Sequence, residues 1–207
     1  MLKRSLDILV SLTTIIIFSP VMIIVSVLVS FKLGSPVVFS QLRPGLNGKL
    51  FRMYKFRTMT DAVNDVGETL PDVERLTPFG NKLRLSSLDE LPGLWNVLKG
   101  DMSLVGPRPL LPKYYEYYTE REQLRHTVRP GVTGWAQVNG RNTLNWNDRL
   151  AMDVWYVENQ SLYLDFKILL LTIKKVTQSE GVVVDARSVM QNLDEERKNK
   201  STKSNGN

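Results

Sequence analysis

The longest uncharged segment of the chain lies near its N-terminus and limits the fold more than any other feature. It runs from Ile8 to Phe31 and is bounded by Asp7 and Lys32. About 24 residues form a helix of about 36 Å, which exceeds the roughly 30 Å hydrocarbon core of a bilayer. The segment is too long for the apolar part of a signal peptide, and no small-residue cleavage site follows it. It therefore predicts a helix inserted in a membrane.

The path of this helix depends on the pair Ser19-Pro20 near its middle. Proline removes a backbone hydrogen bond and clashes with the preceding turn, so a kink or a break is expected there. Basic residues flank both ends and favour the cytoplasmic side: Lys3, Arg4, Lys32, Arg43, Lys49 and Arg52. The residues alone leave two alternatives equally open, a kinked single span and a re-entrant hairpin that returns to the cytoplasmic face.

Composition excludes several kinds of chemistry. The chain has 207 residues, no cysteine and one histidine, so thiolate nucleophiles, disulfides and multi-histidine metal sites are absent. Any catalysis must then rest mainly on carboxylates, lysine or arginine. A net charge of +6 indicates an anionic partner, which could be nucleic acid, a phosphorylated ligand or an acidic membrane surface.

The remaining residues predict a small α+β domain that is mainly helical. Strands are expected at 36–39 and 50–59, and helices at 88–98, 150–156 and 162–176. The last of these helices is amphipathic, which suits either a core or a membrane interface. A mobile loop is expected at 61–75 and an irregular segment at 129–142. The predicted organisation is a membrane segment (1–32), a cytoplasmic domain (33–184) and a polar, disordered tail (185–207).

The acidic pair Asp89-Glu90 begins one of the predicted helices. Ser87 and Glu90 have the spacing of a capping box, which is an ordinary structural reason for both residues. A carboxylate at Asp89 would then lie near a helix N-terminus, where the dipole keeps it ionised. Adjacent helical residues face different ways, so Asp89 and Glu90 suit different partners, one an electrophile and the other a cation.

Three other motifs present basic or polar side chains. Period-two alternation places Lys55 and Arg57 on one face of a strand, about 7 Å apart, a spacing that suits a diphosphate. Arg108 lies between two prolines, which stiffen the backbone around its guanidinium. The segment 129–142, which contains Trp135 and Arg141, could contact a base or a sugar. Each motif also has a purely structural explanation, as a solvated strand, a rigid turn or a packed loop.

Taken in order, these motifs resemble the bacterial sugar transferases, the monotopic phosphoglycosyl transferases. The resemblance runs from about residue 3 to residue 181. Within the family, the chain is especially similar to enzymes of the bacillosamine type, which use UDP-linked N-acetylated sugars. The segments that carry it are Lys3-Arg4-x-x-Asp7, Ser19-Pro20, Gly34-Ser35-Pro36-Val37, Arg43-Pro44-Gly45, Lys55-Phe56-Arg57-Thr58-Met59, Leu88-Asp89-Glu90-Leu91-Pro92, 96–109, 130–135 and 139–142.

The resemblance implies a reaction and a set of roles. It implies transfer of a sugar-1-phosphate from a UDP-sugar to a polyprenyl phosphate, with Asp89 as the nucleophile and UMP as the first product. Glu90, together with Asp89, would hold Mg²⁺. The residues implied to bind substrate or its phosphates are Lys55, Arg57, Arg84, Arg108, Arg141 and Asp165.

The resemblance also implies a location. Ser19-Pro20 would turn the N-terminal segment into a re-entrant hairpin, and the enzyme would be monotopic on the cytoplasmic face of the bacterial inner membrane. Its partners would be the UDP-sugar, the polyprenyl phosphate and the bilayer, with no nucleic acid, and a homo-oligomer is compatible with this interpretation. Two other hypotheses use the same basic residues without catalysis: a membrane-anchored scaffold that holds lipid phosphate, and a membrane-tethered nucleic-acid binder.

Overall fold

The computed structural model describes residues 1–140, 144–178 and 192–204, the last five of them by their backbone alone. Its longest element is helix α1 (Leu2–Leu33), which contains Pro20. Pro20 has no N–H to donate to the carbonyl of Ile16, and the hydroxyl of Ser19 donates to that carbonyl instead, at 2.8 Å. The structure therefore differs from the expected break at Ser19-Pro20, because α1 continues through this pair as one helix.

The first turns of α1 bind the domain through charged side chains. Asp7 is buried and accepts from the hydroxyl of Ser103 at 2.8 Å and from the backbone N–H of Leu104 at 3.1 Å. Arg4 donates to the carbonyls of Val97 and Leu98 at 2.6 and 2.9 Å. These contacts attach the start of α1 to the strand and the helix that carry those residues.

The last turns of α1 bind the same domain through apolar packing. Val25, Val29 and Leu33 are buried and form a cluster with Phe56 and Leu83. A straight helix of this length extends about 48 Å, and the domain contacts it near both ends. Most large apolar side chains between these ends are exposed, including Ile16, Ile17 and Ile23. By length and composition α1 is able to cross a membrane.

Two strands after α1 form an antiparallel hairpin. β1 (Val38–Pro44) pairs with β2 (Leu50–Phe56) in a register that matches Val38 with Phe56 and Pro44 with Leu50. The strands are joined by a 3₁₀ turn at Leu46–Gly48, in which Asn47 adopts φ 54°, a left-handed conformation that asparagine tolerates. The first strand therefore begins later and ends later than the predicted 36–39.

The rest of the domain is mostly helical. The helices in the described residues are α2 (Asp72–Arg75), α3 (Pro78–Leu85), α4 (Gly93–Lys99), α5 (Glu120–Gln123), α6 (Trp135–Val138), α7 (Trp146–Glu158), α8 (Leu162–Gln178) and α9 (Leu193–Ser204). The expected helices in the second half of the domain are present as α7 and α8. The expected loop at 61–75 contains α2, and the expected helix at 88–98 is divided into a 3₁₀ turn and α4.

A short parallel pair of strands lies between these helices. β3 (Ser103–Val105) pairs with β4 (Gly131–Thr133), with Ser103 opposite Gly131. A Cβ at Gly131 would lie 2.1 Å from the backbone nitrogen of Gly106, so only glycine permits this close approach. The segment expected to be irregular therefore supplies the strand that supports the Gly106-Pro107-Arg108-Pro109 motif.

The main core cluster surrounds this strand pair. Its fully buried members include Val97 on α4, Met102 and Val105 around β3, Tyr156 on α7 and Ile168 on α8. The opposite side of α8 leaves Phe166, Leu170 and Ile173 exposed. This helix therefore packs into the core along one side and presents an apolar second face.

Part of the predicted tail is ordered. α9 begins at Leu193, which is fully buried in a cluster with Tyr114, Trp146 and Leu150. Asp194 pairs with Lys113 at 3.0 Å, and Arg197 pairs with Glu122 at 2.7 Å. The expectation of a disordered tail is wrong for Leu193–Ser204, because one apolar residue and two ion pairs attach this polar helix to the domain.

Candidate active site

The acidic pair lies in a 3₁₀ turn at Leu88–Glu90, before α4. Ser87 adopts a left-handed conformation, φ 56°, and its side chain makes no capping hydrogen bond. The predicted capping box is therefore wrong. Because the Glu90 side chain does not turn back to the backbone of Ser87, it is available to residues from other segments.

Glu90 brings together two cations that lie far apart in the chain. Its Oε1 accepts from Lys55 Nζ at 2.9 Å and from Arg108 Nη2 at 2.8 Å. Lys55 comes from β2, and Arg108 lies just after β3. The two positive charges and the hydrogen bonds hold the pKa of Glu90 well below its usual range, although burial opposes the shift.

Asp89 has a different environment from its neighbour. It is 7% exposed, and no residue that the structure describes donates a hydrogen bond to its carboxylate. Burial raises its pKa from 3.8 to about 6, the charge of Glu90 adds to the rise, and Lys55, Arg108 and Arg84 oppose it. The sequence-based expectation considered only the helix dipole, which favours the ionised carboxylate, whereas burial acts in the opposite direction.

Arg84 approaches this group from α3. Its Nε donates to the hydroxyl of Thr58 at 3.1 Å, and its charge lowers the pKa of Asp89.

Lys55 is affected by the same group of charges. Burial lowers the pKa of Lys55, and the charge of Arg108 lowers it further, while Glu90 raises it. Four of the residues implied by the resemblance to bind phosphate or to react, Lys55, Arg84, Asp89 and Arg108, thus lie together with Glu90.

Arg57, which was also expected to bind phosphate, does not join them. It follows the end of β2 and is 8% exposed. Its guanidinium donates to the carbonyls of Ser35 and Met59 at 2.7 and 2.9 Å and pairs with Asp61. The alternation that placed it beside Lys55 ends with the strand at Phe56. Arg57 therefore holds the segments on either side of the hairpin together.

Asp165 is likewise placed away from the acidic pair. It accepts from Lys3 at 2.5 Å and from the hydroxyl of Tyr156 at 2.6 Å, so it attaches the start of α1 to α7 and α8. Arg141, the remaining residue expected to contact substrate, lies outside the described residues.

One residue without an assigned role from the sequence supports the site. Asn96 on α4 is fully buried, accepts from the backbone N–H of Tyr54 at 3.0 Å and donates to the carbonyl of Arg52 at 2.7 Å. These bonds attach β2 to α4 directly before Lys55. An amide within an otherwise apolar helix face is the feature that indicates such a role.

A shallow depression in the surface opens beside these residues. Its lining includes Lys55, Glu90 and Arg108 together with Tyr54, Met102 and Val132. Cations, a carboxylate and apolar side chains thus line one small concave surface beside the acidic turn.

The donor set fits Mg²⁺ only with help from a substrate. No group of three or more acidic or histidine side chains able to hold a metal lies within the described part of the chain. Glu90 binds both cations through Oε1, which leaves Oε2 and the Asp89 carboxylate as oxygen donors. Mg²⁺ commonly takes one or two carboxylates, with phosphate oxygens and water completing its shell, and this pair suits that arrangement.

The sequence comparisons agree with these observations. A sequence model of the family described as bacterial sugar transferase matches residues 1–179. The chain belongs to this family, a class of phosphoglycosyl transferases, and the resemblance drawn from the motifs is confirmed.

Three relatives illustrate the range of the family. The chain is 53% identical over 181 residues to an uncharacterized sugar transferase, EpsL, of Bacillus subtilis, which covers 87% of this chain and 90% of the relative. It is 40% identical over 197 residues to the undecaprenyl-phosphate galactose phosphotransferase of Salmonella typhimurium, covering 87% of this chain and 41% of that enzyme. It is 40% identical over 185 residues to the UDP-glucose:undecaprenyl-phosphate glucose-1-phosphate transferase of Escherichia coli, covering 84% and 40%.

The chain thus spans about two fifths of the length of the two relatives that are named for a reaction. Their names specify galactose and glucose, so they do not select the N-acetylated sugars suggested by the similarity to bacillosamine-type enzymes.

Proposed function

We propose that this enzyme transfers a sugar-1-phosphate from a UDP-sugar to a polyprenyl phosphate and releases UMP. The names of the Salmonella typhimurium and Escherichia coli relatives support undecaprenyl phosphate as the acceptor, and the latter name supports the UDP-linked donor. The product would be a polyprenyl-diphosphate-sugar, the first membrane-bound intermediate in the synthesis of a surface glycan.

The observation that carries this proposal is the unequal environment of two adjacent carboxylates. Glu90 contacts Lys55 and Arg108 directly, whereas Asp89 is buried near the same cations without a hydrogen-bond donor among the described residues. A carboxylate without donors keeps its lone pairs available for attack, and the nearby cations stabilise charge that develops on a phosphoryl group.

The first step forms a covalent intermediate. A carboxylate oxygen of Asp89 attacks the phosphorus that carries the sugar, and the bond between this phosphorus and the bridging oxygen breaks. UMP leaves with the bridging oxygen and its electron pair, and an aspartyl phosphosugar remains. Lys55 and Arg108 are placed to neutralise the negative charge on the phosphates during this displacement.

The second step regenerates the enzyme. A phosphate oxygen of the polyprenyl phosphate attacks the same phosphorus, the bond to Asp89 breaks, and the carboxylate is released. Because the two substrates react in turn at one nucleophile, ping-pong kinetics are expected.

Mg²⁺ is proposed as the cofactor. Glu90 Oε2 and the carboxylate of Asp89 are the protein oxygens that would hold it, together with oxygens of the diphosphate. When bound, the ion would supply further neutralisation of phosphate charge.

The membrane arrangement is proposed from the contacts of α1. Residues near both ends of this helix, such as Asp7 and Val29, contact the same folded domain. A helix that crossed the bilayer would place one end on the far side, out of reach of that domain. We therefore place both ends on the cytoplasmic face, with the exposed apolar middle of α1 and the apolar face of α8 in the membrane.

UMP release by purified protein in nanodiscs tests the reaction. With UDP-sugar alone, the wild type is expected to release UMP in a burst of up to one equivalent and to exchange labelled UMP into UDP-sugar. Asp89→Asn should lose both by on the order of 10³-fold or more, because the nucleophile is gone. Asp65→Asn, at an exposed position, is the control and should behave as wild type. A full burst from Asp89→Asn would show that the nucleophile is misassigned.

A further inference from the structure

A buried ion pair lies beside the active site, outside the acidic dyad and its cations. Arg125, in the 3₁₀ turn Leu124–His126, pairs with Asp153 on α7 at 2.7 Å, and their side chains are 1% and 3% exposed. The cost of removing two charges from water commonly cancels the attraction between them. Stability alone is therefore a weak explanation for this pair.

The guanidinium of Arg125 uses each of its nitrogens. Nε and Nη2 donate to Asp153 Oδ2 at 3.2 and 2.7 Å, and Nη1 donates to the hydroxyl of Tyr118 at 3.2 Å. Nη2 also donates to the backbone carbonyl of Arg108 at 2.6 Å. Arg125 thus connects Asp153 to Arg108, whose own side chain contacts Glu90 at 2.8 Å.

The backbone at Arg108 needs such a contact. Hydrogen bonds to the β4 segment hold the preceding residues, since Gly106 donates to Thr133 at 2.9 Å and Gly131 donates to Pro107 at 3.0 Å. Pro109 has no N–H with which to attach the next residue. Among the described hydrogen bonds, the one from Arg125 is therefore the bond that holds the backbone carbonyl of Arg108 in place.

We infer that Arg125, held by Asp153 and Tyr118, is a positioning residue that sets the backbone of Arg108 and thereby directs its guanidinium toward Glu90 and the donor diphosphate. A planar guanidinium with several fixed donors suits this task, because it binds the carboxylate, the phenol and the carbonyl at once. The inference rests on the proposed function, since it takes Arg108 to bind phosphate.

The first test removes both charges together. In Arg125→Met/Asp153→Leu, apolar side chains replace the pair without leaving an unpaired buried charge, a change that proteins often tolerate. UMP release from saturating UDP-sugar is expected to fall by about 10- to 100-fold, because displacement of a phosphate-binding group by about 1 Å has an effect of that size. Near-ultraviolet circular dichroism and thermal unfolding establish that the variant is folded.

The matched control is Arg121→Gln/Glu158→Gln. It removes another pair that joins the same region to α7, 3.2 Å apart but with side chains that are 75% and 44% exposed. This variant should release UMP at the wild-type rate. Arg125→Lys keeps the charge but offers one ammonium group, so it should recover only part of the activity.

A double-mutant cycle separates positioning from general structural damage. If Arg125 acts through Arg108, then adding Arg125→Met/Asp153→Leu to Arg108→Met should lower UMP release by less than about twofold beyond Arg108→Met alone. If the two losses instead multiply, or if the folded Arg125→Met/Asp153→Leu variant is fully active, the inference is overturned. If the wild type itself releases no UMP, the proposed function fails first and the inference fails with it.

Discussion

Two clusters in this molecule each combine carboxylates with basic side chains, but they differ in whether every carboxylate accepts a hydrogen bond. The anchor cluster (Lys3, Asp7 and Asp165) attaches α1 to the domain. The site cluster (Lys55, Asp89, Glu90 and Arg108) lies beside the surface depression, which Lys55, Glu90 and Arg108 line. In the anchor cluster every carboxylate oxygen accepts a hydrogen bond, from Lys3, Ser103, Leu104 or Tyr156.

The site cluster leaves one carboxylate unmatched. Glu90 takes both cations, and no donor in the described part of the chain reaches Asp89. Burial of a charge without hydrogen bonds is destabilising, and this destabilisation is reflected in the raised pKa of Asp89. The comparison indicates that the anchor cluster stabilises the fold, whereas the site cluster contains a buried carboxylate that destabilises it.

The largest expected effect on stability is an increase in the free energy of unfolding when Asp89 is replaced by asparagine. Its pKa rises from 3.8 to about 6 on folding, so the folded state binds the proton more tightly and stability is lost as pH rises from about 4 to 6. Because one pKa unit corresponds to about 1.4 kcal/mol, Asp89→Asn should stabilise the protein by up to about 3 kcal/mol at pH 7.5. The difference in melting temperature between Asp89→Asn and wild type, measured by thermal unfolding in nanodiscs, tests this prediction.

The pH dependence of that gain is its internal control. The melting temperatures of Asp89→Asn and wild type should converge at about pH 3 and below, where Asp89 is mostly protonated in both the folded and the unfolded state. A lower melting temperature for Asp89→Asn at pH 7.5 would contradict the view that this carboxylate destabilises the fold.

The opposite result is expected in the anchor cluster. Asp165→Asn removes the charged partner of a short ion pair with Lys3, and hydrogen bonds to charged groups contribute about 1.5–3 kcal/mol. Its melting temperature should fall, while UMP release per folded molecule stays unchanged because Asp165 lies outside the site cluster. Thermal unfolding and the UMP assay, normalised to folded protein, give the two values.

Glu158→Gln is the control for Asp165→Asn. It breaks the exposed pair with Arg121, which should change stability by less than about 1 kcal/mol. If Asp165→Asn were as stable as wild type but inactive, Asp165 would belong to the site after all, as the family resemblance implied.

These clusters show which parts of the site were predictable from sequence. Asp89, Glu90, Lys55 and Arg108 each stood in a short motif of suitable chemistry, and the structure brings them together. Their mutual arrangement was not predictable, because Lys55 and Glu90 meet only when β2 packs against the turn before α4. The capping box at Ser87 failed for the same reason, since two distant cations compete for the Glu90 side chain.

The errors elsewhere also came from contacts between distant segments. Arg57 matched Lys55 by alternation, but the strand ends at Phe56 and the guanidinium turns to Ser35 and Met59. The tail looked too polar to fold, yet Leu193 enters the apolar cluster around Trp146. The helical core was easier to predict, because α7 and α8 have long periodic patterns that report local structure.

The smallest effect concerns the pH at which the site works, and it separates the two neighbouring carboxylates. Because the pKa of Glu90 is held well below its usual range while that of Asp89 is about 6, Asp89 is the group of this pair that gains a proton as pH falls below 6. The protonated form is not a nucleophile, so kcat/KM for UMP release should fall by about fivefold from pH 6 to pH 5. Initial rates at low UDP-sugar concentration, measured from pH 5 to pH 8, report this acidic limb of the pH profile for the free enzyme.

Glu90→Gln supplies the discriminating control. It removes the neighbouring negative charge that helps to raise the pKa of Asp89, so the acidic limb should move to lower pH. A limb that keeps its midpoint in Glu90→Gln, or a flat profile from pH 5 to pH 8 in the wild type, would show that a group other than Asp89 limits the first step.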